Sequence, residues 1–252
     1  MSLIKLYKSE LYKYIKKPIT LVLLITLVLP VFYGISTAQN ASYVEVQGDF
    51  DALLFASINW NMLTMTGVPE VLFGLVATHI FAYEIERGQI RTLLVKVCDR
   101  TKLIISKVLV QMTLIVGIYV LFYLVSFLVY YTIIVKTPLG NGSFGSIENL
   151  HFSIMDLIYL IQILLISNVV FLLGLYYKAF TSFMIGIGIT VTFMFLEYFP
   201  VIKYFITSYT ATALSYSQIS AIQALLLNCL FLVVAFLPTF FIIRRFKEID
   251  IK

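Results

Sequence analysis

Long apolar runs are the feature that most restricts what this chain can fold into. A helix needs about 20 mostly apolar residues to cross the hydrocarbon core of a bilayer. Soluble domains carry about 25% charged residues, whereas this chain of 252 residues carries 12%. We therefore predict one all-α membrane domain over residues 1–252, with six transmembrane helices. The predicted spans are residues 18–38, 57–82, 108–134, 154–177, 182–198 and 222–243.

Basic residues predict the orientation of these spans. Lys and Arg accumulate on the cytoplasmic loops of multi-pass proteins. With the amino terminus in the cytoplasm, all but two of the 18 basic residues lie on the cytoplasmic side, the exceptions being Lys136 and Lys203. We therefore expect a protein of the cell membrane with both termini in the cytoplasm. Since this topology explains the net charge of +5, nucleic acid is not expected as a partner.

Two segments outside the predicted spans are also expected to be helical. Residues 2–17 place lysines opposite a largely apolar side, which is typical of a helix lying along a membrane surface; a solvated tail is the alternative. That apolar side comprises Leu3, Ile4, Tyr7, Leu11, Tyr14 and Ile15. Residues 199–221 are rich in Tyr, Ile, Ser and Thr. They predict short helices in the outer leaflet, where surrounding protein covers them.

The most highly charged loop lies between the second and third predicted spans, over residues 83–107. Within it, residues 89–95 predict two turns of helix, and Gly88 permits a sharp turn out of the second span. The apolar residues of this helix recur at i, i+3, i+4 and i+7, so they share one face. They are Ile90, Leu93, Leu94 and Val97. We expect a partner protein to cover this face; a helix resting on the lipid surface is the alternative.

The same loop carries a pattern typical of a known family. The pattern consists of Glu86-Arg87-Gly88-Gln89-Ile90-Arg91-Thr92-Leu93-Leu94, then Asp99-Arg100, then Ile105-Ser106-Lys107. It resembles the first cytoplasmic loop of ABC-2 type transporter permeases, and the length and span layout of the chain are similar to that family. The chain departs from the family pattern at Gln89, where Thr is usual, and no Pro precedes Arg100.

The resemblance implies the membrane subunit of an ABC exporter. In that family two permeases, identical or homologous, bind two copies of a separate ATPase, which holds the ATP and Mg²⁺. This chain would then bind no cofactor, and its loop helix would be a coupling helix that transmits ATPase movement to the spans. The residues implied in ATPase coupling are Glu86, Gly88, Ile90, Arg91, Leu93, Leu94, Val97 and Arg100.

The cargo implied by the resemblance is an amphipathic peptide. Small permeases of this family in Gram-positive bacteria often export a bacteriocin, a lantibiotic or a phenol-soluble modulin, in secretion or in resistance to an antimicrobial peptide. Such a peptide is the expected cargo here.

Motifs of other functional classes are absent from the sequence. No G-x-x-x-x-G-K-[ST] phosphate loop, H-E-x-x-H zinc motif or G-x-S-x-G nucleophile elbow occurs. We therefore expect a non-catalytic chain without a metal site, and a membrane enzyme is disfavoured. The alternative function is a stand-alone secondary transporter or channel, which would need several ionisable residues at the membrane midplane and broken helices.

Polar residues within the predicted spans give two further expectations. Glu70 lies in the second span beside Pro69 and near Gly67, which predict a kink. We expect Glu70 to face a cavity between subunits and to line a translocation path with Thr66 and Gly74; an acid hydrated from outside is the alternative. A row of small residues in the fifth span predicts close helix packing, within this chain rather than against a second permease. The row comprises Ser182, Gly186 and Thr190.

Overall fold

The computed structural model describes residues 2–39, 50–97, 99–196 and 221–248, and helices make up most of these ranges. The predicted all-α membrane fold is confirmed. In chain order the helices are α1 Leu3–Ile15, α2 Pro18–Leu21, α3 Val28–Ala38, α4 Ala52–Met65, α5 Val68–Ile80, α6 Ala82–Glu86, α7 Gln89–Val97, α8 Arg100–Thr132, α9 Ile147–Leu173, α10 Ala179–Leu196 and α11 Ala221–Glu248. Two 3₁₀ segments, Val22–Leu27 and Ile134–Lys136, lie between α2 and α3 and after α8.

Within the described ranges, 5 stretches are long and apolar enough to cross a membrane. They are Pro18–Ala38, Val68–Glu86, Arg100–Lys136, Asp156–Leu173 and Leu225–Lys247. A sixth apolar helix, Ala179–Phe195, is shorter. It overlaps the fifth predicted span, whose last residues, 197–198, fall outside the described ranges. The count of six spans stays a prediction, and so do the outer-leaflet helices, because residues 199–220 also fall outside those ranges.

The second predicted span is broken rather than continuous. α4 ends at Met65 and α5 begins at Val68. Between them Gly67 has a positive φ of 68°, a conformation that favours a residue without Cβ. Pro69 then occupies the first turn of α5, where its missing N–H removes no helical hydrogen bond. The kink predicted around Pro69 is therefore a break at Gly67.

Helix α9 lies at the centre of the described bundle, with α4, α5, α10 and α11 packed around it. Close approach of α10 depends on its row of small residues. Ser182 and Thr190 are buried, and a Cβ added at Gly186 would lie 2.5 Å from Val170 Cγ2 of α9. In the single chain, the row therefore faces a neighbouring helix of the same chain.

Exchanging Gly186 for leucine is expected to destabilise the chain by about 1–3 kcal/mol, because the added side chain overlaps Val170. Gly188 supplies a matched control on the same helix, since a Cβ there meets nothing within 4 Å. Thermal unfolding of the purified full chain in detergent measures both variants, and only Gly186→Leu should lower Tm. Equal Tm values for the two variants would contradict close packing of α10 on α9.

Candidate coupling site

The charged loop folds into two short helices joined by a sharp turn. α6 ends at Glu86 and α7 begins at Gln89. Between them Gly88 has a positive φ of 69°, and its N–H donates to the Ile85 carbonyl at 2.9 Å. A glycine thus suits the turn that the sequence predicts here. α7 continues to Val97, beyond the predicted residues 89–95.

The apolar face of α7 packs on the core of its own chain. Ile90 is 0% exposed and Val97 is buried, while Leu93 and Leu94 are half-buried against the same core residues. The expectation that this face is exposed without a partner is therefore wrong for Ile90 and Val97, whereas docking of the ATPase on α7 stays a prediction. These four side chains hold α7 in place, and Leu93 and Leu94 stay partly exposed.

The opposite face of α7 is polar and basic. Arg91, Thr92 and Lys96 are exposed, and Val95 beside them is 79% exposed. Because the buried face fixes the helix, these side chains point away from the core in a set orientation. A partner that binds α7 from the aqueous side would meet this basic face.

Both ends of the loop are attached to neighbouring helices. The Glu86 carboxylate accepts the Ala179 N–H at 3.1 Å, at the start of α10, where the helix dipole favours an acid. The Arg100 guanidinium donates to the carbonyls of Phe246 and Lys247 at 3.3 and 3.2 Å, near the end of α11. In the single chain, Glu86 and Arg100 therefore connect the loop to α10 and α11, and their role in ATPase coupling stays a prediction.

The start of α8 is capped by an exposed acid. Asp99 Oδ1 accepts the Lys102 N–H at 3.1 Å, and this backbone hydrogen bond lowers the pKa of Asp99. The Asp99 carboxylate also pairs with the Lys102 ammonium at 3.0 Å on the surface. This exposed pair contrasts with the buried charges described next.

A buried cluster of charged residues lies where α1, α6 and α8 meet. The Glu84 cluster, as we term it, comprises Glu10, Lys13, Tyr14, Lys17, Glu84 and Lys107. Lys107 is 0% exposed. Its ammonium donates to Glu10 Oε2 at 2.8 Å, to Glu84 Oε2 at 2.5 Å and to the Ile80 carbonyl at 3.1 Å. An ammonium has three N–H donors, so each of them has an acceptor here.

Glu84 accepts hydrogen bonds on both of its carboxylate oxygens. Oε2 binds Lys107, and Oε1 accepts from Lys13 Nζ and from the Tyr14 hydroxyl. Burial, together with the Glu84 carboxylate, raises the pKa of Tyr14, so its hydroxyl remains a donor. Lys17 Nζ lies 3.5 Å from Glu84 Oε1. Burial lowers the pKa of Lys17, and the attraction of Glu84 opposes that change.

The Ile80 carbonyl takes part in this cluster because α5 ends there and leaves the carbonyl without a helical hydrogen bond. Phe81 leaves the helical conformation, with φ −126° and ψ −70°, and the Glu84 N–H donates to the Phe81 carbonyl. The Ile80 carbonyl accepts instead from the Lys107 ammonium at 3.1 Å, and the Tyr14 hydroxyl oxygen lies 3.2 Å from it. The cluster therefore fastens α1, the junction of α5 and α6, and the inner part of α8 to one another.

The structure corrects the placement of Lys107 and adds buried contacts to α1, while the position of α1 along a membrane surface stays a prediction. Helix α1 buries Leu6, Glu10 and Tyr14 and packs on α8, whereas Ile4 and Ile15 of its predicted apolar side are exposed. The charge pattern also assigns Lys107 to an aqueous loop, but the structure buries it within α8. Glu10 and Lys107 are separated by 97 positions, so no local pattern connects them.

The residues predicted to line a translocation path lie in different environments. Glu70 is 2% exposed, so the chain's own packing covers it, which differs from the predicted position facing a cavity between subunits. Gly74 is buried, with Val170 Cγ2 3.9 Å from its added Cβ. Thr66 is exposed and donates its hydroxyl to the Leu63 carbonyl at 2.6 Å. A transport role for these residues stays a prediction.

A second buried polar cluster lies where α4, α8 and α9 meet. Asp156 is fully buried, and it accepts from the Tyr123 hydroxyl at 2.5 Å and from Asn61 Nδ2 at 2.7 Å. The Ser57 and Ser153 hydroxyls lie beside it, 3.0 Å apart. Sequence reasoning misses Asp156 because it stands near the start of the predicted fourth span, where an acid is expected to be hydrated.

An open cavity of about 330 Å³ lies between α5, α6 and the start of α10. The His79 and Tyr83 rings, 4.8 Å apart between centroids, form one wall. Phe180, Phe183 and Glu86 also line the cavity. Apolar and aromatic walls with a few polar groups are typical of small-molecule and peptide sites, so this cavity suits an amphipathic molecule.

Comparison with protein-family models places the chain in a known family. A family model described as ABC-2 family transporter protein matches residues 6–197. This range includes most of α1, the charged loop, the Glu84 cluster and the polar cluster around Asp156. No curated protein matches the chain.

Proposed function

Since the chain belongs to the ABC-2 family of transporter proteins, we propose that it is the permease of an ATP-driven exporter of an amphipathic substrate. The family implies a multi-pass membrane subunit of an ABC transporter with an ABC ATPase as partner. In our proposal this chain is non-catalytic, and the separate ATPase binds the ATP and Mg²⁺. Two ATPases and two permeases, identical or homologous, form the transporter in the cell membrane, with the termini of this chain in the cytoplasm.

The observation that carries the proposal is the placement of α7. Its apolar residues are packed on the core, and its basic face is exposed. α7 is connected to α6 before it and to α8 after it, and its apolar face packs on the core. A movement of the bound partner would therefore be transmitted through α7 to the spans. We propose that the ATPase binds this face through Arg91, Thr92 and Lys96, and that charge sets the orientation of binding more than its strength.

The Glu84 cluster supports a relay from α7 to the membrane. Movement of α7 acts on α6, which carries Glu84, and Glu84 is bound to Lys107 of α8 and to Lys13 and Tyr14 of α1. Buried ion pairs strongly resist separation, because a lone charge in a low-dielectric site is costly. In our proposal the three helices therefore move together when the ATPases close.

The cavity beside α6 and α10 supports an amphipathic cargo. Its aromatic walls suit apolar side chains, and Glu86 at its edge suits a cationic group. An antimicrobial or cytolytic peptide combines these two properties. We propose that such a peptide is exported, in secretion or in self-protection.

The proposal is tested by reversing charge on the exposed face of α7. Arg91→Glu/Lys96→Glu should weaken co-purification with the partner ABC ATPase and lower substrate-stimulated ATP hydrolysis, while Tm of the chain stays unchanged. Lys5→Glu/Lys136→Glu is the matched control, because it makes the same charge change on exposed lysines away from α7. Full co-purification of the α7 variant, with coupled hydrolysis intact, would refute this docking surface.

Two structural features favour the alternative, a secondary transporter. The break at Gly67 is the kind of broken helix that such a protein uses, and the buried Asp156 is one of the several ionisable residues that it would need. Transport into proteoliposomes separates the two functions. Uptake that requires the ATPase and ATP supports the exporter, whereas uptake by the chain alone that a protonophore abolishes supports the alternative.

A further inference from the structure

An apolar groove lies between the amino-terminal helices and α8. Its volume is about 330 Å³. Leu11 and Ile15 of α1 form one wall, Leu21 and Leu24 of the first span form another, and Leu114, Gly117, Ile118 and Leu121 of α8 also line it. Ile15, Leu21, Leu24 and Leu121 are exposed at its rim. The groove therefore opens on the side of the chain that faces lipid.

Two local features keep the groove open. The first span begins as an α-helix but continues as 3₁₀-helix over Val22–Leu27, and a 3₁₀-helix places its side chains differently from an α-helix. On α8, Gly117 has no side chain, and a Cβ there would meet nothing within 4 Å. The first span and α8 therefore do not fill the space between them.

The polar groups in the wall are already paired within the chain. The Thr20 hydroxyl donates to the Tyr14 carbonyl at 2.6 Å. The Thr113 hydroxyl donates to the Leu109 carbonyl at 2.8 Å and lies 2.8 Å from the Tyr7 hydroxyl. No unpaired polar atom of these two threonines faces the groove, so its occupant must be apolar along this length.

Positive charge lies beside the groove on α1. Lys8 precedes Leu11 by three positions, so the two side chains lie on the same side of the helix. Lys8 and Lys16 are exposed, and within the described ranges neither forms an ion pair. Lys13 and Lys17, by contrast, are engaged by Glu84. The Lys16 ammonium lies 4.3 Å from the centroid of the Tyr12 ring, a contact that leaves its charge open to an anion. Lys8 and Lys16 thus offer positive charge to an anionic group outside the groove.

We propose that this groove binds one anionic phospholipid of the leaflet at which α1 lies. An acyl chain fills the space between Leu24, Gly117 and Leu121, and the headgroup phosphate binds Lys8 and Lys16. The lipid completes the packing of the first span on α8. This site is separate from α7 and from the cavity beside α10, so the assignment does not depend on the partner or cargo of the transporter.

Native mass spectrometry of the purified, delipidated full chain tests the site. The probes are phosphatidylglycerol and phosphatidylcholine with identical acyl chains. We expect the wild-type chain to prefer phosphatidylglycerol, and Gly117→Leu to weaken binding of both lipids about tenfold by filling the groove. Gly188→Leu is the matched control, since it adds the same side chain in open space on α10, and it should bind as wild type does.

A second variant tests the headgroup contact without changing the groove. Lys8→Ala/Lys16→Ala should bind the two lipids equally, because only the electrostatic preference is removed. Unchanged lipid binding by Gly117→Leu would overturn the acyl-chain site, and a retained preference in the lysine variant would overturn the headgroup site. If Gly117→Leu instead converts a dimer to a monomer with no change in lipid binding, a second copy of the chain occupies the groove and the lipid assignment is wrong.

Discussion

Replacing Lys107 with methionine is expected to lower the free energy of unfolding by about 3–5 kcal/mol. The change removes the ammonium that binds Glu10, Glu84 and the Ile80 carbonyl and leaves two buried carboxylates with fewer partners. Met has nearly the length of Lys, so lost packing contributes little. Thermal unfolding of the purified chain in detergent, followed by circular dichroism, should show a large drop in Tm.

Two further variants make this result specific. Lys102→Met removes the same group from the same helix, but its partner Asp99 is on the surface, so Tm should stay close to that of the wild type. Lys107→Met/Glu84→Gln removes both charges of one buried pair, and it should recover part of the loss because only the Glu10 carboxylate is then left without Lys107. If Lys107→Met melts at the wild-type temperature, the Glu84 cluster does not hold the three helices together.

Sequence reasoning succeeds where the signal is local. Hydropathy gives the helices because each span must satisfy its own backbone within the bilayer, and the first predicted span coincides with Pro18–Ala38. Gly88 is predicted at a turn because few other residues adopt its positive φ. The break at Gly67 is signalled in the same way, by a glycine close to a proline.

The Glu84 cluster cannot be predicted from local sequence signals, for a physical reason. Charged residues at the ends of apolar runs are assigned to water, because burial of a single charge is unfavourable. Burial becomes acceptable only when several distant residues meet and neutralise one another. Glu10, Glu84 and Lys107 belong to three separate helices, so their contact is a property of the fold.

The burial of Asp156, whose partners are neutral, likewise cannot be predicted from local sequence. Its carboxylate is held by Tyr123 of α8 and Asn61 of α4, which come from two other segments of the chain. An acid near the start of a predicted span is ordinarily hydrated, and the neighbouring residues do not indicate that Asp156 is buried. Only the packing of α4, α8 and α9 reveals that it is enclosed.

The amphipathic pattern of α7 identifies its apolar face but does not show what covers that face. The pattern correctly identifies the apolar face, but the same face is stabilised whether it is covered by the core or by a partner, because burial of apolar area is non-directional. In the single chain the core covers it. The partner is then expected on the basic side, which reverses the surface assigned from the pattern alone.

Neighbouring residues on α7 should consequently give opposite phenotypes. Ile90→Asp places a charge where the wild-type side chain is 0% exposed, and loss of the aliphatic group alone is worth about 2–5 kcal/mol. We expect a large drop in Tm and little inserted chain in the membrane fraction. Arg91→Glu, one residue further along, changes an exposed side chain and should leave Tm and insertion as in the wild type, while weakening ATPase association.

The two variants are measured in one experiment, by the yield of inserted chain, Tm in detergent and co-purification with the ATPase. If Ile90→Asp inserts and melts like the wild type and loses only the ATPase, the apolar face is the docking surface after all. In that case Ile90, Leu93, Leu94 and Val97 must leave the core when the transporter assembles. If Ile90→Asp fails to accumulate and Arg91→Glu alone loses the ATPase, the apolar face holds α7 and the basic face binds the partner.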